Sequence, residues 1–264
     1  MMKISYAALF IFSFLFSSCE NSTDVNSNLE YKEYTVINAQ LSAGNIFEGV
    51  TITHTLPLGV QYDIQKAEIK DAIAYIRENG VKIIPVHYVS NGLYKPITNL
   101  VINCGEQYEL FASINGKSVY SKTYVPDTPG VVQALNVNNN YLVAEVTAKP
   151  NEAYGAAWII SEGNYSSKAG DFQSIVASKN FPADIDVRTI DIPAPYNTIS
   201  YSDFFYIQVY AFDKAYKDYF ITKSNGNPID NTFTSGGGAV AWNVYGENVI
   251  GLFMGMTEGY KVHP

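Results

Sequence analysis

Cysteine, histidine and clustered acids are the side chains that can do covalent, metal or proton-transfer work, and this chain has only two cysteines and three histidines. Cys19 is the best placed of them. It follows Ser17 and Ser18 directly, behind one charge, Lys3, and an apolar run from Ile4 to Phe16. Small residues directly before a cysteine at the end of such a run look like a bacterial lipobox. The thiol would carry a diacylglycerol through a thioether, and cleavage after Ser18 would free its amine for a further acyl chain. Phe16 departs from the pattern, standing where Leu, Val or Ile is commoner. The run itself is a signal peptide and not an anchor, because a spanning helix needs roughly 20 apolar residues. Each buried acyl methylene contributes about 0.8 kcal/mol, so several chains on Cys19 would hold the mature protein at its membrane.

The other candidates carry less chemistry. With Cys19 lipidated, Cys104 lacks an intramolecular partner, and the run Val101 to Glu106 offers no histidine or cation to lower a thiol pKa. It is expected to be a small buried apolar residue. His54, His87 and His263 lie on separate segments without ligand spacing, so no metal site is expected. Asp184, Asp186 and Asp191 supply oxygens of the kind calcium takes, but acids flanking Ile185 read as the outer face of a strand. Gly236-Gly237-Gly238 lacks the Lys-Ser/Thr of a phosphate loop. No Gly-x-Ser-x-Gly elbow occurs. No catalytic residue and no cofactor is expected. Trp158, Trp242 and the many tyrosines offer stacking surface for a sugar or peptide, although both tryptophans sit in apolar strands and read as core.

Composition narrows the class further. Acids outnumber Lys and Arg 25 to 17, a net charge of −8, and no basic cluster offsets it, so nucleic acid is excluded as a partner. Charged residues are 16% of the chain, against 21 tyrosines and 14 phenylalanines, and that balance favours sheet over helix.

Along the chain, residues 20–31 are polar and read as a tether between Cys19 and the folded part. Strands are expected over Tyr34 to Leu41 and Ile46 to Leu56, with a turn at Ser42 to Asn45 and His54 at the outer end of the second strand. Ile69, Ala72, Ile73 and Ile76 have helical spacing, yet Asn79-Gly80 is a hairpin dipeptide and β-formers follow from Val81 to Val89. The segment is therefore expected to be a strand. Further strands are expected at Leu100 to Asn103, Gln107 to Ile114 and, after Asn115-Gly116, Ser118 to Val125. Two prolines and a glycine in Pro126 to Gly130 mark a boundary. The expected organisation is a signal peptide (1–18), a lipidated tether (19–31), an N-terminal antiparallel sandwich (32–126) and a C-terminal β-rich domain (131–264). In the latter, Phe204 to Phe212 should be a central strand and Lys214 to Ile221 a short helix capped by Asp213.

The layout resembles a family of Bacteroidota outer-membrane lipoproteins known as domain of unknown function 4249. The residues that carry the resemblance are Ala67 to Ala72, Asn91-Gly92-Leu93-Tyr94, Gly105 with Tyr108 and Leu110, and Thr123-Tyr124-Val125-Pro126. In the second half they are Asp213 with Tyr216 and Tyr219, Asn243-Val244-Tyr245-Gly246, and Gly251-Leu252-Phe253. The resemblance implies an all-β chain whose first half is of immunoglobulin or transthyretin type. It also implies a lipid-anchored, non-enzymatic binding or accessory protein of the outer membrane beside a TonB-dependent transporter. Its periplasmic or surface side is left open. A structural or adhesive, fimbrial-type lipoprotein is the alternative, and a hydrolase with a site assembled across strands the third reading. The ligand-binding residues are unknown from sequence.

Overall fold

The computed structural model describes residues 31–57, 59–160, 172–173, 175–177, 182–198, 204–224 and 240–264. The signal peptide, Cys19, the tether to residue 30 and Gly236 to Gly238 lie outside them. Residues 33–264 form one compact unit. The protein is all-β, 56% strand and 7% helix.

The first half begins with β1 (Thr35–Ser42) and β2 (Val50–His54), paired antiparallel. A single helical turn, α1 (Ile64–Ala67), follows, its first amides capped by Asp63, which accepts from the Gln65 amide at 3.0 Å. The sequence pattern had not signalled it. Next come β3 (Ile73–Glu78), β4 (Lys82–Ser90), β5 (Leu93–Pro96), β6 (Gln107–Ile114) and β7 (Lys117–Tyr124). The segment with helical spacing is thus strand from Ile73 onward and not helix, while Ile69 to Ala72 lead into it without regular structure. Asn79 and Gly80 take φ of 51° and 71°, the left-handed pair that reverses a chain between strands. Asn91-Gly92 and Asn115-Gly116 do the same with φ near 50° and above 70°. Leu100 to Asn103 is not a strand; it contributes only a bridge from Val101 to Ile46.

The second half holds β8 (Gly130–Val137), β9 (Tyr141–Ala148), β10 (Glu152–Ile160), β11 (Val176–Ala177), β12 (Ala183–Arg188) and β13 (Phe205–Asp213). Helix α2 (Ala215–Ser224) and strands β14 (Val244–Gly246) and β15 (Val249–Val262) end the chain. Strand β13 lies between β10 and β15, buried on both faces, as its nearly continuous apolar and aromatic sequence requires. Asp213 caps α2 by accepting from the Ala215 amide at 2.9 Å.

Twelve strands share one sheet in the order β11-β10-β13-β15-β1-β2-β5-β4-β3-β6-β7-β14, and β12-β9-β8 form a second. Strand β15 joins the halves. Its residues 249–256 run parallel to β1 and its later residues run antiparallel to β13. The β7 end of the sheet returns to β15, where the Gly255 amide donates to Thr123 Oγ1 at 2.8 Å and the Asn243 side chain donates to and accepts from the Phe253 backbone. One core runs from Ile37 to Val125 and includes Val244 and Phe253; a second is built from Leu142 to Ala211. The Pro126 to Gly130 stretch separates these cores but not the sheet, because β14 and β15 carry the chain back.

A candidate functional site: the outward aromatic ladder

Strands β3, β6 and β7 bury alternate residues, with Ile76, Leu110 and Val119 on the inner face. The outer positions are therefore Tyr75, Phe111 and Tyr120, and the strand registers place them in one row. Tyr75 pairs with Pro85 on one side and Phe111 on the other; Phe111 pairs with Tyr120, and Tyr120 with Tyr245. At roughly 4.8 Å per strand the row of five is about 19 Å long. The rings touch: Tyr75 and Phe111 have centroids 5.0 Å apart and planes 14° from parallel, and Phe111 meets Tyr120 at 5.0 Å with a 53° tilt.

A second row runs beside the first, with Ile83 opposite Arg77, Arg77 opposite Glu109 and Glu109 opposite Lys122. Arg77 Nε donates to Glu109 at 2.8 Å, and its guanidinium carbon lies 4.6 Å above the Phe111 ring. Tyr120 donates its hydroxyl to the other Glu109 oxygen at 2.9 Å. The bond from Arg77 holds the Glu109 carboxyl below the usual carboxylate range, and that from Tyr120 adds to it. The pair is thus charged at neutral pH and fixed in place.

The face is open. Ile73 is 75% exposed, Ile83 61% and Tyr245 62%, an apolar patch of the kind that marks an interaction surface. Aromatic rings and an arginine held by a carboxylate are also the residue types in which binding energy concentrates. Stacking rings and a fixed ion pair are what this face presents.

The residues singled out from sequence fall elsewhere. Cys104 is exposed and not buried, because it sits in a tight turn before Gly105, whose φ is +75°. Trp158 is core at 5% exposure, whereas Trp242 is 37% exposed and lies against Tyr219 at the surface, ring centroids 5.5 Å apart. The apolar flanks of Trp242 belong to a segment entering a strand of only three residues. His54 faces Glu33, His87 is exposed on β4, and His263 packs edge-on against Tyr206. Asp184 and Asp186 are exposed on β12; Asp184 accepts from Thr147 and Asp191 pairs with Arg188. Among the described residues no three His, Cys, Asp or Glu come together as a metal site.

The buried acids are structural in their geometry. Asp213 accepts from the Tyr124 amide at 2.8 Å and from Thr123 Oγ1 at 3.1 Å, besides capping α2. Glu78 accepts from Tyr108 and Lys82, and Glu68 from Tyr88, Lys70 and the Gly92 amide. Glu152, opposite Asp213 across β10 and β13, takes the Tyr154 hydroxyl, and burial pushes its carboxyl pKa up.

Several of the short motifs behind the family resemblance meet in space. Glu68 and Ile69 contact Gly92 and Tyr94, since Tyr94 donates to the Ile69 carbonyl at 2.8 Å and accepts from the Ala72 amide. Thr123, Tyr124 and Asp213 form a second knot, and Asn243 with Phe253 a third. These knots close the fold.

No family model matches the chain, and no curated protein matches it. Sequence reasoning had not found the ladder, because the marked hairpins give only Tyr75 with Pro85 and Phe111 with Tyr120, while the pairing of Tyr75 with Phe111 that joins them has no local signal.

Proposed function

We propose that this chain is a lipid-anchored, non-enzymatic binding protein of the cell envelope, held by Cys19 and presenting the ladder of Tyr75, Phe111, Tyr120 and Tyr245 to a partner in the same membrane. The observation that carries the reading is the ladder itself: a fixed row of half-buried rings with a built-in ion pair, flanked by the exposed side chains of Ile73, Ile83 and Tyr245. The apolar surface of Ile73, Ile83 and Tyr245 beside that row is costly to leave in water unless something covers it. The Ser17-Ser18-Cys19 motif supports the anchor, and the tether gives reach along the membrane. Among the described residues no helix is long and apolar enough to cross a bilayer, so this part of the chain supplies no spanning helix of its own. The partner implied by the resemblance is a TonB-dependent transporter.

The test is site-specific photo-crosslinking on intact membranes from cells expressing the full chain. A benzophenone amino acid at position 83 or 245 should trap an outer-membrane barrel protein, identified by mass spectrometry as a TonB-dependent transporter, while the same probe at position 184 should not. Cys19→Ser should move the protein out of the membrane fraction. Equal trapping from all three positions, or membrane retention of the Cys19→Ser chain, would overturn the reading.

A further inference from the structure

A separate hollow of about 350 Å³ lies in the second half of the chain, lined by Asn140, Tyr141, Arg188, Asp191, Ile192 and Asn197. Its walls are fixed by the fold. The Ile192 amide donates to the Asn140 carbonyl at 2.7 Å and the Thr189 amide to the Leu142 carbonyl at 3.0 Å, so the segment after β12 is laid along the start of β9. Tyr196, next to Asn197, rests against the buried Trp158, ring centroids 6.5 Å apart.

The polar groups in the hollow are held by each other. The Arg188 guanidinium carbon is 3.6 Å from the Tyr141 ring centroid, and its terminal nitrogen donates to Asp191 at 2.5 Å. Both side chains keep exposed surface, 40% for Arg188 and 73% for Asp191. The stack orients the guanidinium and Asp191 balances its charge, so the lining of the hollow has no net charge. A free phosphate or carboxylate would gain from Arg188 and be opposed by Asp191.

Charge balance, donors and acceptors in one small space select a particular ligand. The amides of Asn140 and Asn197 both donate and accept, Arg188 donates and Asp191 accepts. A hydroxyl also does both, so a ring carrying several adjacent hydroxyls can satisfy the whole set. Tyr141 and Ile192 add apolar surface for the C–H groups of such a ring, and the volume is in the range of small-molecule sites. We propose that this hollow binds one residue of a neutral sugar. The inference does not rest on the ladder, which lies on the other half of the chain.

The test is saturation-transfer NMR on the full Cys19→Ser chain with glucose, galactose, mannose, xylose and N-acetylglucosamine as probes, and phosphorus-31 line broadening of inorganic phosphate for comparison. At least one neutral sugar should bind with a Kd in the millimolar range, and Tyr141→Ala should weaken it at least tenfold. Asp191→Asn, which keeps the shape, should weaken the sugar by a similar factor and strengthen phosphate, since Arg188 is then unbalanced. Tyr245→Ala should leave sugar binding unchanged, and thermal unfolding of each variant shows that it is folded. Binding of no neutral sugar, tighter binding of phosphate than of any sugar by the unaltered hollow, or sugar binding indifferent to both Tyr141→Ala and Asp191→Asn would overturn the proposal.

Discussion

Tyr75 and Phe111 stack with centroids 5.0 Å apart on strands joined by no hairpin, and the next residue along, Ile76, is fully buried on the opposite side of the same strand. One strand thus serves the core with one face and a partner with the other. Ile76→Ala should therefore cost about 2–5 kcal/mol in urea unfolding. Tyr75→Ala should cost about 1 kcal/mol, the worth of an aromatic pair beyond its buried area, and should abolish crosslinking from position 83. A Tyr75→Ala chain that unfolds as readily as the Ile76→Ala chain would mean that the ladder is a structural element and not a contact face.

The hairpins of this fold were legible because their turns are written locally. Asn115-Gly116 in a two-residue turn places Ile114 opposite Lys117, and counting outward places Phe111 opposite Tyr120. The same logic makes the second half of Ile69 to Arg77, from Ile73 on, strand despite its helical spacing, since Asn79-Gly80 must reverse the chain immediately afterwards. The pairing of β3 with β6 has no such signal. It spans β4, β5 and the segment that follows them, and it brings Tyr75 to Phe111, so the ladder could not be assembled from sequence. Nor could the parallel pairing of β15 with β1, whose partners Thr35 and Val249 lie at opposite ends of the chain. Cys104 and Trp242 were misplaced for a related reason: apolar neighbours indicate burial only where a strand is long enough to alternate.

The parallel pairing depends on Gly251. Its φ is +152°, and a Cβ there would lie 2.0 Å from the Ile37 carbonyl oxygen. The three atoms nearest that Cβ all belong to the Ile37 backbone, which leaves no flexible side-chain end to give way. Gly251→Ala should destabilise the whole unit by roughly 3 kcal/mol or more, read as a fall in the urea midpoint. Gly44→Ala is the control, with φ of +77° but no atom near its Cβ, and should cost only about 1 kcal/mol.

Asp213 ties the two halves together through the Tyr124 amide and the Thr123 hydroxyl, while Thr123 in turn accepts from Gly255. Asp213→Ala leaves two amide donors, on Tyr124 and Ala215, without their acceptor and should cost about 2–4 kcal/mol. Thr123→Ser keeps the hydroxyl and should cost about 1 kcal/mol or less. If hydrogen exchange of the Tyr124 and Gly255 amides were as slow in Asp213→Ala as in the parent chain, the junction would be held by something else.

Glu152 and Glu109 should respond to pH in opposite senses. Burial raises the folded pKa of Glu152 above its usual value near 4.5, so the native state holds this proton more tightly than the unfolded chain does. Stability from this group is then fullest below the unfolded value and declines as pH rises through the folded one. Glu152→Gln removes the charge and can still accept from Tyr154, so the variant should gain on the parent as pH rises above 4.5 and lose that advantage in acid. The Arg77 bond lowers the folded pKa of Glu109, so its contribution is present above 4.5 and is lost as pH falls through the folded value. Glu109→Gln should therefore be less stable than the parent at pH 7 and converge with it in acid. Urea unfolding of the three chains between pH 3 and pH 8 measures both differences, and curves that stay parallel across that range would mean that neither carboxyl is perturbed by its surroundings.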